Sequence, residues 1–388
     1  MASLRDVSLR HSRWYLSRLT DLSNRYRIAP EVAKVCREEM HWSWAQFQAG
    51  QSWACRNSED DGAAAFVASG YAGLCSEVGG SLLEVHQTQT LRAAWLRAGV
   101  VAAREVGDEL GEATHLYNLG LVLMTIPEVK KGLRAVRRAK RIFVKRKDSS
   151  SEMAALNALG LGCSALKEPQ KAIQYHCRSL KLSRGSKLRR DEAVTLEFLG
   201  SAYALAGDTK KALKILKQAS DAFHALDDKV SQGSALLKMA YVCLDADELD
   251  EGRRLSEKAA ALIGEENSAA DDLLQTRLAA FLLLLADPKA AEFTDQLVDE
   301  FHTSDKCLGE GMALVGRGAL RARQGNAAEA RAAFEEAHSR FREMGFRGGE
   351  ELASRVMRRL TFDGGRGPSD HHEHDVKSSG GREVEPSG

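Results

Sequence analysis

The chain has 388 residues, a formal net charge of +1, 28% charged residues and only six prolines. That length is enough to bury a large core, and the near-zero balance argues against a globally basic nucleic-acid binder while leaving local patches open. The scarcity of proline and the wealth of Ala, Leu, Arg and Glu favour helix throughout and exclude a sheet-based fold.

Residues 1–60 read as two or three helices, with Trp14, Trp42, Trp44 and Trp53 as bulky apolar surface expected to cover one open end of a larger stack. Residues 61–108 keep a weak 40-residue period, with Gly80 and Leu96 in step, and read as a degenerate repeat. From 109 the period is plain. Leu119-Gly120, Leu159-Gly160, Leu199-Gly200, Met239-Ala240, Leu278-Ala279 and Arg317-Gly318 head successive copies. Leu116, Leu156, Leu196, Leu236 and Leu314 stand four residues before the small residue, and Leu123, Cys163, Tyr203, Cys243 and Leu282 three after it. A second small residue follows at Gly132, Ala172, Ala212, Gly252, Ala291 and Ala330, and opens a second helix whose apolar positions include Val136 and Ala139, Leu216 and Ala219, Phe334 and Ala337. Gly207-Asp208 and Gly325-Asn326 suit the turn within a pair, and Asp108, Asp148 and Asp228 suit helix caps between pairs. Self-similarity at such a period predicts a stacked solenoid. The repeats run to a last amphipathic helix over 350–360, so the solenoid is expected at 109–361. Residues 362–388, rich in Gly, Ser, Pro and charge, are expected to be disordered.

These helix pairs resemble the tetratricopeptide repeat, whose small residues sit where two backbones approach most closely. The spacing exceeds that family's usual ~34 residues by about six, implying longer helices. The resemblance implies an all-α, right-handed solenoid of antiparallel helix pairs that binds another protein. A second resemblance rests on Arg10-His11, Trp14-Tyr15-Leu16, Trp44, Gln46, Gly50-Gln51, Trp53-Ala54, Trp95-Leu96, Ala102-Ala103 and Gly107-Asp108. This stretch is similar to the region leading into the repeats of bacterial STAND, NB-ARC-like, signalling ATPases. No Gly-x-x-x-x-Gly-Lys-Ser/Thr occurs, so the phosphate cradle of those ATPases is missing. What remains resembles a sensor arm without its motor: a stand-alone adaptor, or the C-terminal sensor fragment of a longer ATPase.

Chemistry-bearing candidates are few. Gly160-Leu161-Gly162-Cys163-Ser164-Ala165 fits a dinucleotide fingerprint but follows no strand, and Gly160 is explained by helix packing. Gly50-Gln51-Ser52-Trp53-Ala54 lacks the second glycine of a nucleophile elbow. His371, His372 and His374, with Asp370, Glu373 and Asp375, are competent metal donors in a tail with nothing to orient them, so adventitious metal binding is the expectation. No enzymatic activity and no cofactor are expected. Seven scattered cysteines without a Cys-x-x-Cys pair suit a reducing compartment. The charged N-terminus is no secretory signal, and the longest apolar run, Leu278 to Ala286, falls far short of the roughly 20 residues needed to cross a bilayer. A cytosolic protein is expected, without membrane contact.

Two surfaces are candidate partner sites. By the geometry the resemblance implies, the concave groove is lined by Tyr117, Asn118 and Leu121, by Asn157 and Leu161, by Glu197 and Ser201, and by Lys238 and Tyr241. These differ from repeat to repeat, as suits a non-repetitive peptide or helix. The Lys/Asn carboxylate clamp of chaperone-tail binders is absent, and only Asn118 remains of the paired asparagines of spindle-orientation adaptors. The second surface is basic. From Lys130 to Lys147 there are about ten Lys or Arg and no acid, and Lys130, Arg134, Arg137, Arg138 and Arg141 share a helical face. Arg178, Lys181, Lys214 and Lys217 continue it in register, forming a ridge expected on the convex side. An acidic stretch, including Asp245, Asp247, Glu248, Asp250, Glu251, Asp271 and Asp272, follows. The ridge is either solvated surface, a dock for nucleic acid or an acidic protein, or one half of a basic-to-acidic self-association.

Overall fold

The computed structural model describes residues 3–28, 32–76, 82–83, 87–126, 128–186, 188–246, 248–262, 289–303, 307–343, 350, 353–354 and 357. Among them lie fifteen α-helices and no strand. They are α1 (Leu4–Ile28), α2 (Ala33–Arg56), α3 (Gly62–Gly73), α4 (Gln89–Glu105), α5 (Glu109–Thr125), α6 (Val129–Arg146), α7 (Ser149–Ala165), α8 (Pro169–Ser186), α9 (Arg189–Leu205), α10 (Thr209–His224), α11 (Lys229–Asp245), α12 (Leu249–Ala260), α13 (Lys289–Thr303), α14 (Cys307–Arg323) and α15 (Ala327–Glu343). The pairs α5/α6, α7/α8, α9/α10 and α11/α12 are four successive repeats, and α14/α15 is a further one. Leu278-Ala279, Leu282, Gly80, the 362–388 tail with His371, His372 and His374, and most of the expected terminal helix lie outside the described residues.

Four of the five pairs are closed by a glycine against a larger residue sixteen positions on. A Cβ at Gly120 would strike Val136, and one at Gly160 would strike the His176 ring. At Gly200 it would meet Leu216 Cγ at 2.6 Å and the Leu216 backbone nitrogen at 3.2 Å, and at Gly318 the Phe334 ring at 2.8 Å. Gly132 answers from the second helix, where a Cβ would lie 2.6 Å from the Gly120 carbonyl oxygen. The helices therefore come closest where a side chain is absent, with backbone meeting backbone at Gly120 and Gly132, which brings the flanking apolar positions into register. Leu116, Leu119, Leu123, Gly132, Val136, Ala139 and Phe143 are all buried, and equivalent positions are buried in the next repeats at Leu156, Leu159, Cys163 and Ala172, then Leu196, Leu199, Ala212, Leu216, Ala219 and Phe223.

The caps follow the same rhythm. Asp108, Asp148 and Asp228 accept the backbone N–H three residues on at 2.8, 3.0 and 3.0 Å, opening α5, α7 and α11. Leu188 stands at the equivalent place before α9 and gives no side-chain bond. Within the third pair the turn places Gly207 at φ +79, and Asp208 caps α10 at 3.1 Å. The equivalent Lys167 holds φ +57 without a glycine's freedom.

First helices of successive repeats touch one another, α5 with α7, α7 with α9 and α9 with α11, whereas second helices meet one another less. The first helices thus form the inner side of the stack and the second helices its outer side.

Ahead of the repeats, α1, α2 and α3 form a bundle around Leu19, Leu22, Met40, Phe47 and Tyr71. Tyr71 Oη donates to the Ser12 carbonyl at 3.1 Å, and Ser12 Oγ donates to the Gly50 carbonyl at 2.6 Å. The tryptophans divide. Trp44 stacks on buried Trp95 at 5.9 Å and Trp53 packs on the core, but Trp14 is 57% and Trp42 83% exposed. The smaller apolar residues already fill the bundle, which turns those two rings to solvent rather than over the end of the stack.

Gly200→Val is expected to lower stability by about 1–3 kcal/mol through overpacking against Leu216, whereas Gly185→Ala, where a Cβ meets nothing within 4 Å, should leave it unchanged or slightly raised. Urea unfolding of the two variants checks the pairing, and equal midpoints would refute it.

Candidate partner-binding faces

The inner face is built by the outward turns of α5, α7, α9 and α11. Tyr117, Leu121, Ser201 and Tyr241 are half-buried there, Lys238 is 28% exposed, and Leu161 is 41% exposed. Asn118, Asn157 and Glu197 are buried. The polar atoms of Asn157 and Glu197 are drawn into the packing between helices. Burial raises the Tyr117 phenol above its ordinary value.

Glu197 joins two repeats. Its Oε1 accepts from Lys238 Nζ at 2.8 Å and from Ser234 Oγ at 2.8 Å, both on α11. Lys238 Nζ also lies 5.5 Å from the Phe198 ring centroid, and Ser201 Oγ donates to the Glu197 carbonyl at 3.0 Å. Lys238 thus neutralises a buried carboxylate.

Asn157 belongs to a second network that the repeat pattern did not announce. His176 on α8 occupies the place held by Val136, Leu216 and Phe334 in other repeats, and is fully buried. Its Nδ1 lies 3.1 Å from Asn157 Oδ1, an acceptor, so the ring proton sits on Nδ1. Asn157 Nδ2 donates to Thr195 Oγ1 at 2.9 Å. The Ser179 hydroxyl is committed to the Met153 carbonyl at 3.4 Å, so Thr195 is the donor across the 3.3 Å between Thr195 and Ser179. One atom is left over: His176 Nε2, buried without a partner beside the Phe198 ring, 5.7 Å between centroids. The signal lay in the register, since 136, 176 and 216 are spaced by one period and only the middle one is polar.

On the outer face, Lys130, Arg134, Arg137, Arg138 and Arg141 of α6, Arg178 and Lys181 of α8, and Lys214 and Lys217 of α10 are all exposed. The acidic stretch is more mixed. Asp245, Glu248 and Asp250 are exposed, Glu251 is paired with Arg254 at 2.6 Å, α12 also carries Arg253 and Lys258, and Asp247, Asp271 and Asp272 lie outside the described residues. No group of three or more His, Cys, Asp or Glu suited to a metal comes together among the described residues. No described helix is long and apolar enough to cross a membrane.

The tetratricopeptide-repeat family model matches residues 151–224, which span α7 to α10. Residues 151–224 are tetratricopeptide repeats. Aspartyl phosphate phosphatase F from Bacillus subtilis is similar in fold, at 11% identity and a TM-score of 0.53, over 89% of this chain and 96% of that one. So is the apo form of the quorum sensor NprR from B. thuringiensis, at 14% identity and a TM-score of 0.52, over 80% and 86%. A STAND signal-transduction ATPase with a tetratricopeptide repeat sensor, from Pyrococcus horikoshii, matches at 14% identity and a TM-score of 0.47, over 92% of this chain and 55% of that one. No curated protein matches the sequence. The fold is accordingly an all-α solenoid of tetratricopeptide-like repeats.

Burial, then the nearby charge of Lys238, pushes the His176 imidazole down to about 4. A histidine depressed in the fold binds fewer protons there than in the unfolded chain, so its contribution to stability is full above pH ~6.5 and drains as pH falls towards 4, by about 3 kcal/mol in all. His176→Leu, the side chain that fits at 216, should flatten that decline, leaving the smaller share of His115, which burial also lowers. Urea unfolding at pH 7.5 and 4.5 measures it, and an unchanged pH dependence would show that the ring is not held neutral.

Proposed function

We propose that this chain is a non-enzymatic adaptor of a regulatory system, working in the cytosol, that holds a peptide or a partner helix along the inner face of its repeats. The observation carrying this reading is the composition of that face. Leu161 and Leu205 are 41% and 47% exposed at successive repeats, with Tyr117, Leu121, Phe198 and Tyr241 half-buried around them. Exposed leucines flanked by aromatic rings on a preformed curved surface are what an amphipathic helix or extended peptide needs for anchoring. Glu197 and Lys238 satisfy each other, so they stiffen the groove floor and leave recognition to the apolar positions.

Further support comes from the fold. A stack of helices presents surface rather than converging reactive groups, and a protein that resembles it in fold, NprR, is a quorum sensor. The described cysteines are all free thiols, most of them buried, which suits a reducing compartment.

The double substitution Leu161→Glu and Leu205→Glu tests the reading. Both side chains are exposed, so the melting transition should stay in place while partner capture, quantified by mass spectrometry of pull-downs, falls at least tenfold. Capture equal to that of the parent would rule out the inner face.

A further inference from the structure

We infer that the outer face of the first three regular repeats docks the phosphate backbone of a nucleic-acid duplex. On α6, Lys130, Arg134, Arg137, Arg141 and Lys145 stand exposed in one stripe about 22 Å long at ~1.5 Å per residue. The stripe continues with Arg178 and Lys181 on α8 and Lys214 and Lys217 on α10. Arg138, beside it, is held by Glu112 at 3.5 Å and Lys145 by Glu109 at 2.6 Å. None of the other eight ridge cations has an ion pair among the described residues. The carboxylates at the margin, Glu128, Glu168 and Asp208, are already taken by Lys131, Lys171 and Lys211 at 2.7, 3.0 and 2.7 Å. On α10 the stripe ends at Asp221.

This arrangement works against the helix that carries it. Lys130 with Arg134, Arg134 with Arg138, and Arg137 with Arg141 are like charges one turn apart, which oppose helix formation. A polyanion laid along the stripe removes that repulsion.

The class of polyanion follows from what the face lacks. Val144 and Cys177 are its exposed apolar residues, and among the described residues its helices present no exposed Phe, Tyr or Trp ring. A protein interface draws its affinity from desolvated anchors of that kind, and a single-strand site from rings on which bases stack. Phosphate binding needs neither. Released counterions drive it, and cations alone suffice. Such contacts position a duplex without reading its sequence.

The test is fluorescence anisotropy of a labelled random-sequence DNA duplex of 24 base pairs with the full chain, across a series of KCl concentrations. With about five phosphates contacted, log K should fall against log salt with a slope of about −4 to −5. Substituting Arg134→Gln, Arg137→Gln and Arg141→Gln together should weaken low-salt binding at least tenfold and flatten the slope by about 3. Lys214→Gln with Lys217→Gln, on a separate helix, should flatten it by about 2. These side chains are exposed and unpaired, so neither variant should melt below the parent, and the triple arginine variant, relieved of like-charge repulsion, should melt at or slightly above it. Stronger competition by unlabelled DNA duplex or by RNA duplex supports the assignment either way and names the polymer. Absence of binding at low salt, slopes unmoved in both variants, single strand bound as tightly as duplex, or displacement of the duplex by polyglutamate of equal charge would overturn it.

Discussion

The close approach of two helices at Gly120 and Gly132, at Gly160, at Gly200 and at Gly318 is the constraint on which the remaining structure rests. A Cβ at any of these first-helix positions would enter a partner side chain. Because the approach is close, each second helix is pinned along its length, and its opposite side faces solvent. Inner and outer faces are therefore consequences of packing: first helices touch their successors and second helices splay. The same geometry sorts the chemistry. Apolar and networked polar groups collect along the first helices, while uncompensated charge collects on the second.

The second repeat shows what happens when the large partner in that contact is polar. His176 fills the volume used by Val136 and Leu216 in the neighbouring repeats, yet brings two nitrogens into a dry place. One is satisfied through Asn157, Thr195, Ser179 and the Met153 carbonyl, and the other is not. An unsatisfied buried polar atom costs about 1–3 kcal/mol. The chain spans α7, α8 and α9, so it ties the second repeat to the third by directional bonds instead of apolar area. Such bonds fix the relative setting of two repeats more narrowly than greasy contact does, and Glu197 with Lys238 and Ser234 does the same between the third and fourth.

Most of the fold was legible because it depends on periodic small residues, and a missing side chain is visible in a sequence. Gly200 with Leu216, and Asp148 and Asp228 as caps, needed only counting. The inner face was less legible. Asn157 and Glu197 sit at positions that face the groove by repeat geometry, but each turned its polar atoms towards a residue about 40 positions on, Thr195 for one and Ser234 with Lys238 for the other. Whether a polar side chain faces a ligand or a neighbouring repeat depends on what the neighbour offers, which no single period records. Trp14 and Trp42 differ for a related reason: their bulk suggested a cover for the open end of the stack, but Leu19, Leu22, Met40 and Phe47 fill the bundle core and these two rings face solvent.

The outer ridge was legible by the opposite logic. Exposed lysines and arginines need no partner to be placed, so helical spacing alone put all nine on the solvent side. What the sequence withheld was their pairing. Acids stand close to the ridge in the sequence at Glu128, Glu168 and Asp208, and a count of charges would cancel them against it. Each of those acids instead takes the lysine three residues on, within its own first turn, where a carboxylate is favoured by the helix dipole. The local pairs close on themselves and leave the cations further along each helix uncompensated. A chain of net charge +1 thereby presents one face far more positive than its total suggests.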